Sequence, residues 1–295
     1  MNIDQTIKEI EVNLETIAKD VVSKRIAEEK NSLFKKLQEQ FLMELDSPLQ
    51  HQPRWHQWGI VTHTRKFMQF YDLKVQEDLQ KWGIYDEVRD HLLVEIDGIA
   101  KSKLIHIGIL LHDIGKFQKN YLQLPNGEIR YGFREHERYS YEIIHGELFS
   151  FLHKTHHLTP AQIEYIAMCA RYHFELGIVR DVAKRSPHGY TVEFAHSNRF
   201  REIVLDAISG FGEYGVEVGL LFLADSYAKS DIEYRDRTDQ EIIQELRSKG
   251  LSILLIDTIK QVEINVEVAK EYFSILFGLD LSQQSLSSSE SCLSI

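Results

Sequence analysis

Apolar residues at alternating steps of three and four open the chain. Ile7, Ile10, Leu14, Ile17 and Val21 form a heptad seam that breaks at Lys24 and Glu28, and a stripe resumes through Leu33, Leu37 and Phe41. No Pro or Gly interrupts, so the spacing predicts helix over residues 3–45. That helix either packs on its own domain or serves as a dimerising arm. Pro48 and Pro53 end it, and helical periodicity returns over residues 57–72. The charge-rich stretch 74–103 predicts one or two further helices, and 104–117 a buried one. Pro125-Asn126-Gly127 marks a tight turn, making 118–133 a loop or small hairpin. Helix is predicted for 136–156. Thr159 before Pro160 reads as an N-cap with proline at the first helical position, so another helix runs over 160–174. Residues 184–192, with Pro187 and Gly189, read as loop, and helices follow at 199–210, 213–230, 238–248 and 252–277. The Ser-rich end from Ser282 reads as disordered. Alternating patterns are scarce and no internal repeat is visible, so the fold class is all-α.

Composition narrows the class. The chain has 295 residues, 43% of them hydrophobic, enough for a substantial core. A formal net charge of −11 argues against a duplex-binding protein, which draws affinity from neutralising phosphates. It leaves small phosphorylated substrates open, because a metal and a few local cations can supply the positive field. The cysteines, Cys169 and Cys292, lie in unlike settings and suggest no disulfide framework. No apolar run of about 20 residues is evident for a membrane span, and Met1-Asn2-Ile3-Asp4-Gln5 lacks the basic and apolar regions of a signal peptide. A cytoplasmic location, with no membrane partner, is the expectation.

The chemistry concentrates at His112 and Asp113, which end the apolar run Ile107-Gly108-Ile109-Leu110-Leu111 and precede Ile114-Gly115-Lys116. Burying a carboxylate or an imidazole is unfavourable unless something pairs with it, and a divalent cation pairs with both. Asp225 poses the same problem inside Leu220-Leu221-Phe222-Leu223-Ala224, although Lys229, four residues on, could pair with it. His63 lies among Ile60, Val61, Phe67 and Phe70, and His56 shares its neighbourhood. His136 stands among charges as either a site residue or a solvated helix start. His173 ends an apolar helix. The His156-His157 pair reads best as a helix-ending loop, while His188 and His196 are loop residues of open role. Lys116 either meets phosphate oxygens or solvates a helix end. No Gly-x-x-x-x-Gly-Lys-Ser/Thr loop and no Gly-x-Ser-x-Gly elbow is present.

This order of residues resembles the HD superfamily of metal-dependent phosphohydrolases: His63 on an early helix, the His112-Asp113 pair, further histidines at His136 and His173, and a late Asp225. The resemblance covers roughly residues 50–235 and implies an HD-domain helical bundle over 47–235. A helical arm would precede it over 1–46, C-terminal helices would pack on it over 236–281, and a tail would occupy 282–295. It implies metal ligation by His63, His112, Asp113, His136, His173 and Asp225, with one or two divalent ions among Mn, Fe, Ni, Co, Zn or Mg. Asp113 could bridge a pair of ions. A metal-activated water would attack phosphorus, Lys116 would offset developing charge, and His136 would protonate the leaving oxygen or bind the second ion. Arg134 and Arg171 are weaker phosphate-contact candidates. The implied substrate is a small phosphate ester or anhydride of nucleotide type, and a homodimer through the N-terminal helix is open. The rival readings are an HD-type nuclease on single-stranded nucleic acid, disfavoured by the acidic balance, and a non-catalytic nucleotide-binding signalling module.

Overall fold

A computed structural model describes residues 2–185 and 189–279. Its helices are α1 (Ile3–Glu28), α2 (Ser32–Met43), α3 (Ile60–Phe70), α4 (Gln76–Lys81), α5 (Tyr85–Leu92), α6 (Lys101–Leu111) and α7 (His136–His145). They continue as α8 (Pro160–Tyr172), α9 (Ile178–Ala183), α10 (Val192–Ala195), α11 (Asn198–Phe211), α12 (Gly215–Ala228), α13 (Asp239–Ser248) and α14 (Leu255–Phe277). Short antiparallel hairpins, β1–β2 (Glu95–Ile96, Ile99–Ala100) and β3–β4 (Asn120–Gln123, Ile129–Gly132), are the strands among the described residues. The fold is all-α.

The central element is α12, every residue of which is buried. A helix apolar on all sides belongs inside a bundle, and α3, α8 and α14 pack around it. Helix α6 lies between α3, α8 and α1. The stretch Asn198–Ala228 is long and apolar enough to cross a membrane by length and composition, contrary to the sequence expectation, yet 61% of its apolar window is buried within this bundle.

Several boundaries differ from the expected ones for local reasons. The single helix over 3–45 is divided, because the Asn31 side chain accepts from the backbone of Leu33 and Phe34 and starts a new helix there. The seam residues Ile10, Leu14, Ile17 and Val21 pack into the chain's own core. The stretch 74–103 holds α4, α5 and the β1–β2 hairpin, whose turn uses Asp97 at φ 47° and Gly98 at φ 82°. Helix α6 stops at Leu111, so the His112-Asp113 pair lies past its end, followed by a 3-10 turn at Ile114–Phe117. The helix expected over 136–156 ends at His145, and a π-turn occupies Phe151–Thr155. Helix α8 starts at Thr159-Pro160 with a full capping box, in which Gln162 answers Thr159. Helix α9 falls outside the predicted elements. The Ser-rich tail and His188 lie outside the described residues.

Close backbone approaches fix the elements that carry the site. A Cβ on Gly59 would lie 1.9 Å from the Asp46 carbonyl oxygen. That proximity lets Asp46 accept from the Thr62 backbone (2.9 Å) and hydroxyl (2.6 Å) at the start of α3. A Cβ on Gly115 would meet the His136 carbonyl oxygen at 2.1 Å and the Ser140 nitrogen at 2.6 Å. Ser140 Oγ accepts from Gly115 N (2.9 Å) and donates to His112 O (2.6 Å), locking α7 to the turn after α6. The β3–β4 hairpin is pinned by Lys119, whose buried ammonium lies 3.6 Å over the Tyr131 ring and 4.6 Å over Phe41 and donates to Gln50 Oε1 at 2.6 Å. Burial pushes that ammonium down to about 7.

Backbone cannot yield as a side-chain tip can, so Gly115→Ala is expected to destabilise the fold by about 1–3 kcal/mol. A urea titration followed by circular dichroism checks this; an unshifted midpoint contradicts the packing account.

Candidate metal centre

The ends of separate helices bring the predicted ligand residues together. His63 projects from α3. His112 caps α6 and His173 caps α8. His136 is the first residue of α7, and Asp225 lies in the last turn of α12. Asp113 is at the middle, 1% exposed. Its Oδ2 lies 3.2 Å from His112 Nε2 and 3.6 Å from His63 Nε2. Its Oδ1 lies 3.4 Å from His136 Nε2 and 3.7 Å from His173 Nε2. Asp225 Oδ1 is 3.2 Å from His63 Nε2. The donor atoms form two groups that share Asp113: His63 with His112, and His136 with His173.

Each of these imidazoles is oriented by a backbone carbonyl. His63 Nδ1 bonds Ala228 O at 3.1 Å, and His112 Nδ1 bonds Ile109 O at 2.7 Å. His136 Nδ1 bonds Phe133 O at 2.8 Å, and His173 Nδ1 bonds Ala170 O at 2.7 Å. A carbonyl only accepts, so the proton sits on Nδ1 and the Nε2 lone pair faces Asp113. Such outer hydrogen bonds are how ligating histidines are aimed. Glu135, at φ 61°, holds a left-handed conformation that starts α7 at His136, backbone strain of the sort that collects at functional sites.

The centre is left with unpaired acceptors. His63 Nε2, His112 Nε2 and Asp113 Oδ1 are buried with no hydrogen-bond partner, and Asp113 Oδ2 has the Lys116 ammonium at 2.7 Å. His136 Nε2 and His173 Nε2 face each other at 3.3 Å, lone pair against lone pair. Each buried unsatisfied group costs about 1–3 kcal/mol. A divalent cation removes these penalties, and neutral imidazole with carboxylate is a donor set that transition ions accept. The residues present therefore fit such a metal.

Charge at the centre follows the same logic. Burial lowers His63, His136 and, more strongly, His173, so they stay neutral. Burial pushes Asp113 up, but the adjacent Lys116 ammonium helps hold the carboxyl well below the usual carboxylate range. For Asp225, burial is likewise outweighed, chiefly by the Lys229 ammonium.

Lys116 is buried, which excludes the solvating role. Its Nζ lies 2.7 Å from Asp113 Oδ2 and donates to His51 Nε2 at 3.0 Å. His51 Nδ1 in turn bonds Trp58 O at 3.0 Å, and its ring stacks on His56 with centroids 3.8 Å apart. His51 escapes the sequence reading because it falls between Pro48 and Pro53, in a segment without periodicity. The ion pair expected as an alternative for Asp225 is present, with Lys229 Nζ at 3.0 Å from Oδ2. A cavity of about 350 Å³ opens over the centre, lined by Trp55, Phe133, Arg134, Phe174, Arg180 and Lys229 among others. Arg134 thus lies at the cavity. Arg171 does not line it, and its guanidinium is 4.0 Å from Glu175. His156 lies 3.8 Å from Glu9, His157 is exposed, and His196 pairs with Glu271 at 3.0 Å, so none of them joins the cluster.

A sequence model of the HD domain matches residues 74–229, which span His112, Asp113, His136, His173 and Asp225. The match starts beyond His63, which geometry alone adds to the group. No curated protein is similar enough to the chain to match it.

The lowered imidazoles set the pH response. The unfolded chain takes up protons on these histidines near pH 6.5, while the folded chain does not. Their contribution to stability is therefore complete above about 6.5 and is lost as pH falls below it. The lowered Asp113 and Asp225 add a second loss as pH falls below about 3.9. With a chelator present, the melting temperature is expected to be several degrees lower at pH 5.5 than at pH 7.5. Adding Mn, Ni, Co or Zn at pH 7.5 should raise it, by about 2.7 kcal/mol of stability at a hundredfold excess over Kd. Differential scanning calorimetry checks both.

Proposed function

The chain belongs to the HD-domain family, and from that premise we propose that it is a metal-dependent phosphohydrolase acting on a phosphate ester or anhydride of a small, nucleotide-type substrate. HD domains are generally metal-dependent hydrolases, and the buried His/Asp cluster fits such a site. The observation that carries the reading is the aim of tautomer-fixed Nε2 atoms at the buried carboxylate of Asp113.

His63, His112, Asp113 Oδ2 and Asp225 would hold one divalent ion. Asp113 Oδ1, His136 and His173 would hold a second. Bound divalent cations supply Lewis-acid polarisation of a phosphoryl group and a nucleophilic water at neutral pH. Asp113 and Asp225, held ionised, keep the donor set anionic without an external proton acceptor. Lys116 stands beside Asp113 with its ammonium steered by His51, placed to offset charge growing on non-bridging oxygens. Phe133 and Phe174 wall the cavity and thin the water around those charges. A volume of about 350 Å³ suits a small molecule rather than a strand.

Elemental analysis of the purified protein, with phosphate release from a nucleotide panel beside single-stranded DNA and RNA, tests the reading. Asp113→Ala is expected to lose bound metal and turnover while far-UV circular dichroism keeps its helical signal; retained turnover removes the mechanism. Lys116→Met should lower kcat by about 10²-fold. His51→Phe should lower it by less, and the double variant should be no slower than Lys116→Met alone. Additive losses would show that His51 acts independently of Lys116.

A further inference from the structure

The cavity holds positive charge that the centre does not use. Arg180 on α9 places its guanidinium carbon 5.5 Å from the Trp55 ring centroid and 5.6 Å from that of Phe174. Its Nε is buried with no hydrogen-bond partner. Among the described residues no ion pair joins its guanidinium to a carboxylate, and the same holds for Arg134 on the wall of the same cavity. What sets Arg180 apart is that its unpaired Nε is buried between aromatic rings instead of facing water. Lys229 Nζ lies 5.0 Å over the same Phe174 ring, but its charge is answered within the protein by Asp225 Oδ2 at 3.0 Å. Arg180 has no such answer.

We propose that Arg180 forms a second anion subsite that takes a phosphoryl group of the substrate other than the one undergoing hydrolysis. This rests on the phosphohydrolase reading for its link to a substrate. Arg180 lines the cavity that also contains His136, His173 and Asp225, so one small molecule reaches the subsite and the centre together. The chemistry of the side chain fits. A guanidinium is a planar fork of N–H donors that matches phosphate oxygens in pairs. Clamping it between aromatic rings fixes the fork and lowers the local dielectric, so less is lost on binding. Packing alone would not call for a charge here, because a methionine or leucine could cover Trp55 and Phe174 without burying an unpaired nitrogen. The substrates favoured by this arrangement carry at least two phosphoryl groups.

Titration calorimetry on the full chain, with chelator present to prevent turnover, tests the subsite directly. The probes are adenosine 5′-monophosphate, adenosine 5′-diphosphate and adenosine 3′,5′-bisphosphate. One or both doubly phosphorylated probes are expected to bind at least about tenfold more tightly than the monophosphate. Arg180→Met, which keeps an apolar stem over the rings, should bring that ratio close to one, and Arg180→Lys should restore part of it. Equal affinities for all probes, or a ratio that Arg180→Met leaves intact, would overturn the proposal. Phosphate release from the same probes with metal restored separates the two readings. Tight, Arg180-dependent binding without release from any nucleotide leaves the subsite standing and removes the hydrolase reading instead.

Discussion

A buried carboxylate short of donors is the constraint around which this molecule is arranged. Asp113 is enclosed by the ends of α3, α6, α7, α8 and α12, and among the described residues only Lys116 brings it a positive charge at close range. Lys116 contributes charge at 2.7 Å, but a single ammonium leaves Oδ1 facing imidazole lone pairs. The helices could have closed over an apolar residue at lower cost. That they close over Asp113 means that the fold, with no ion bound, carries a local penalty which a cation removes. Metal binding and the stability of the core are then one equilibrium.

The helix ends do more than deliver side chains. The last carbonyls of a helix have no partner within it and carry partial negative charge. Here those carbonyls bond the ligand histidines: Ile109 O of α6 takes His112, Ala170 O of α8 takes His173, and Ala228 O of α12 takes His63. One set of groups thus satisfies the helix ends, fixes the tautomers and biases the centre toward cations. The same bias would repel the phosphate of the proposed substrate, a repulsion that Lys116 and Arg180 on other sides of the cavity would offset.

Much of this was legible along the chain, and the reasons for the rest are physical. The helical class, the α8 cap and the core position of α12 follow from periodicity and from Thr159-Pro160, both local signals. The His112-Asp113 pair stands out because an apolar run ends on groups that burial penalises. The break at Asn31 is invisible to a search for Pro and Gly, because side-chain capping makes it; the break after His145 does carry a glycine, Gly146 at the helix C-cap, but apolar spacing continues past it into the π-turn. His51 and Arg180 have no periodicity around them. They acquire meaning only when Asp46 and Gly59 hold the α3 start close and when α9 lays its arginine over Trp55, contacts between residues distant in sequence.

A comparison within α12 sharpens the distinction between structural and functional burial. Glu217, two turns before Asp225, is as deeply buried. Its Oε1 accepts from Tyr165 at 2.8 Å, meets His91 at 2.9 Å and has Lys101 at 3.6 Å. One oxygen of that carboxylate is held by three groups of the protein, while its Oε2 is buried without a partner. Asp225 is paired through Oδ2 with Lys229 at 3.0 Å, and its Oδ1 lies 3.2 Å from His63, whose Nδ1 proton is already committed to Ala228. What separates the two acids is therefore not the number of donors but the company they keep. Glu217 stands as a lone carboxylate among donors, whereas Asp225 shares the His63 imidazole with Asp113, so that carboxylates and imidazole lone pairs converge on one space. Converging acceptors of that kind are what a positive ion satisfies.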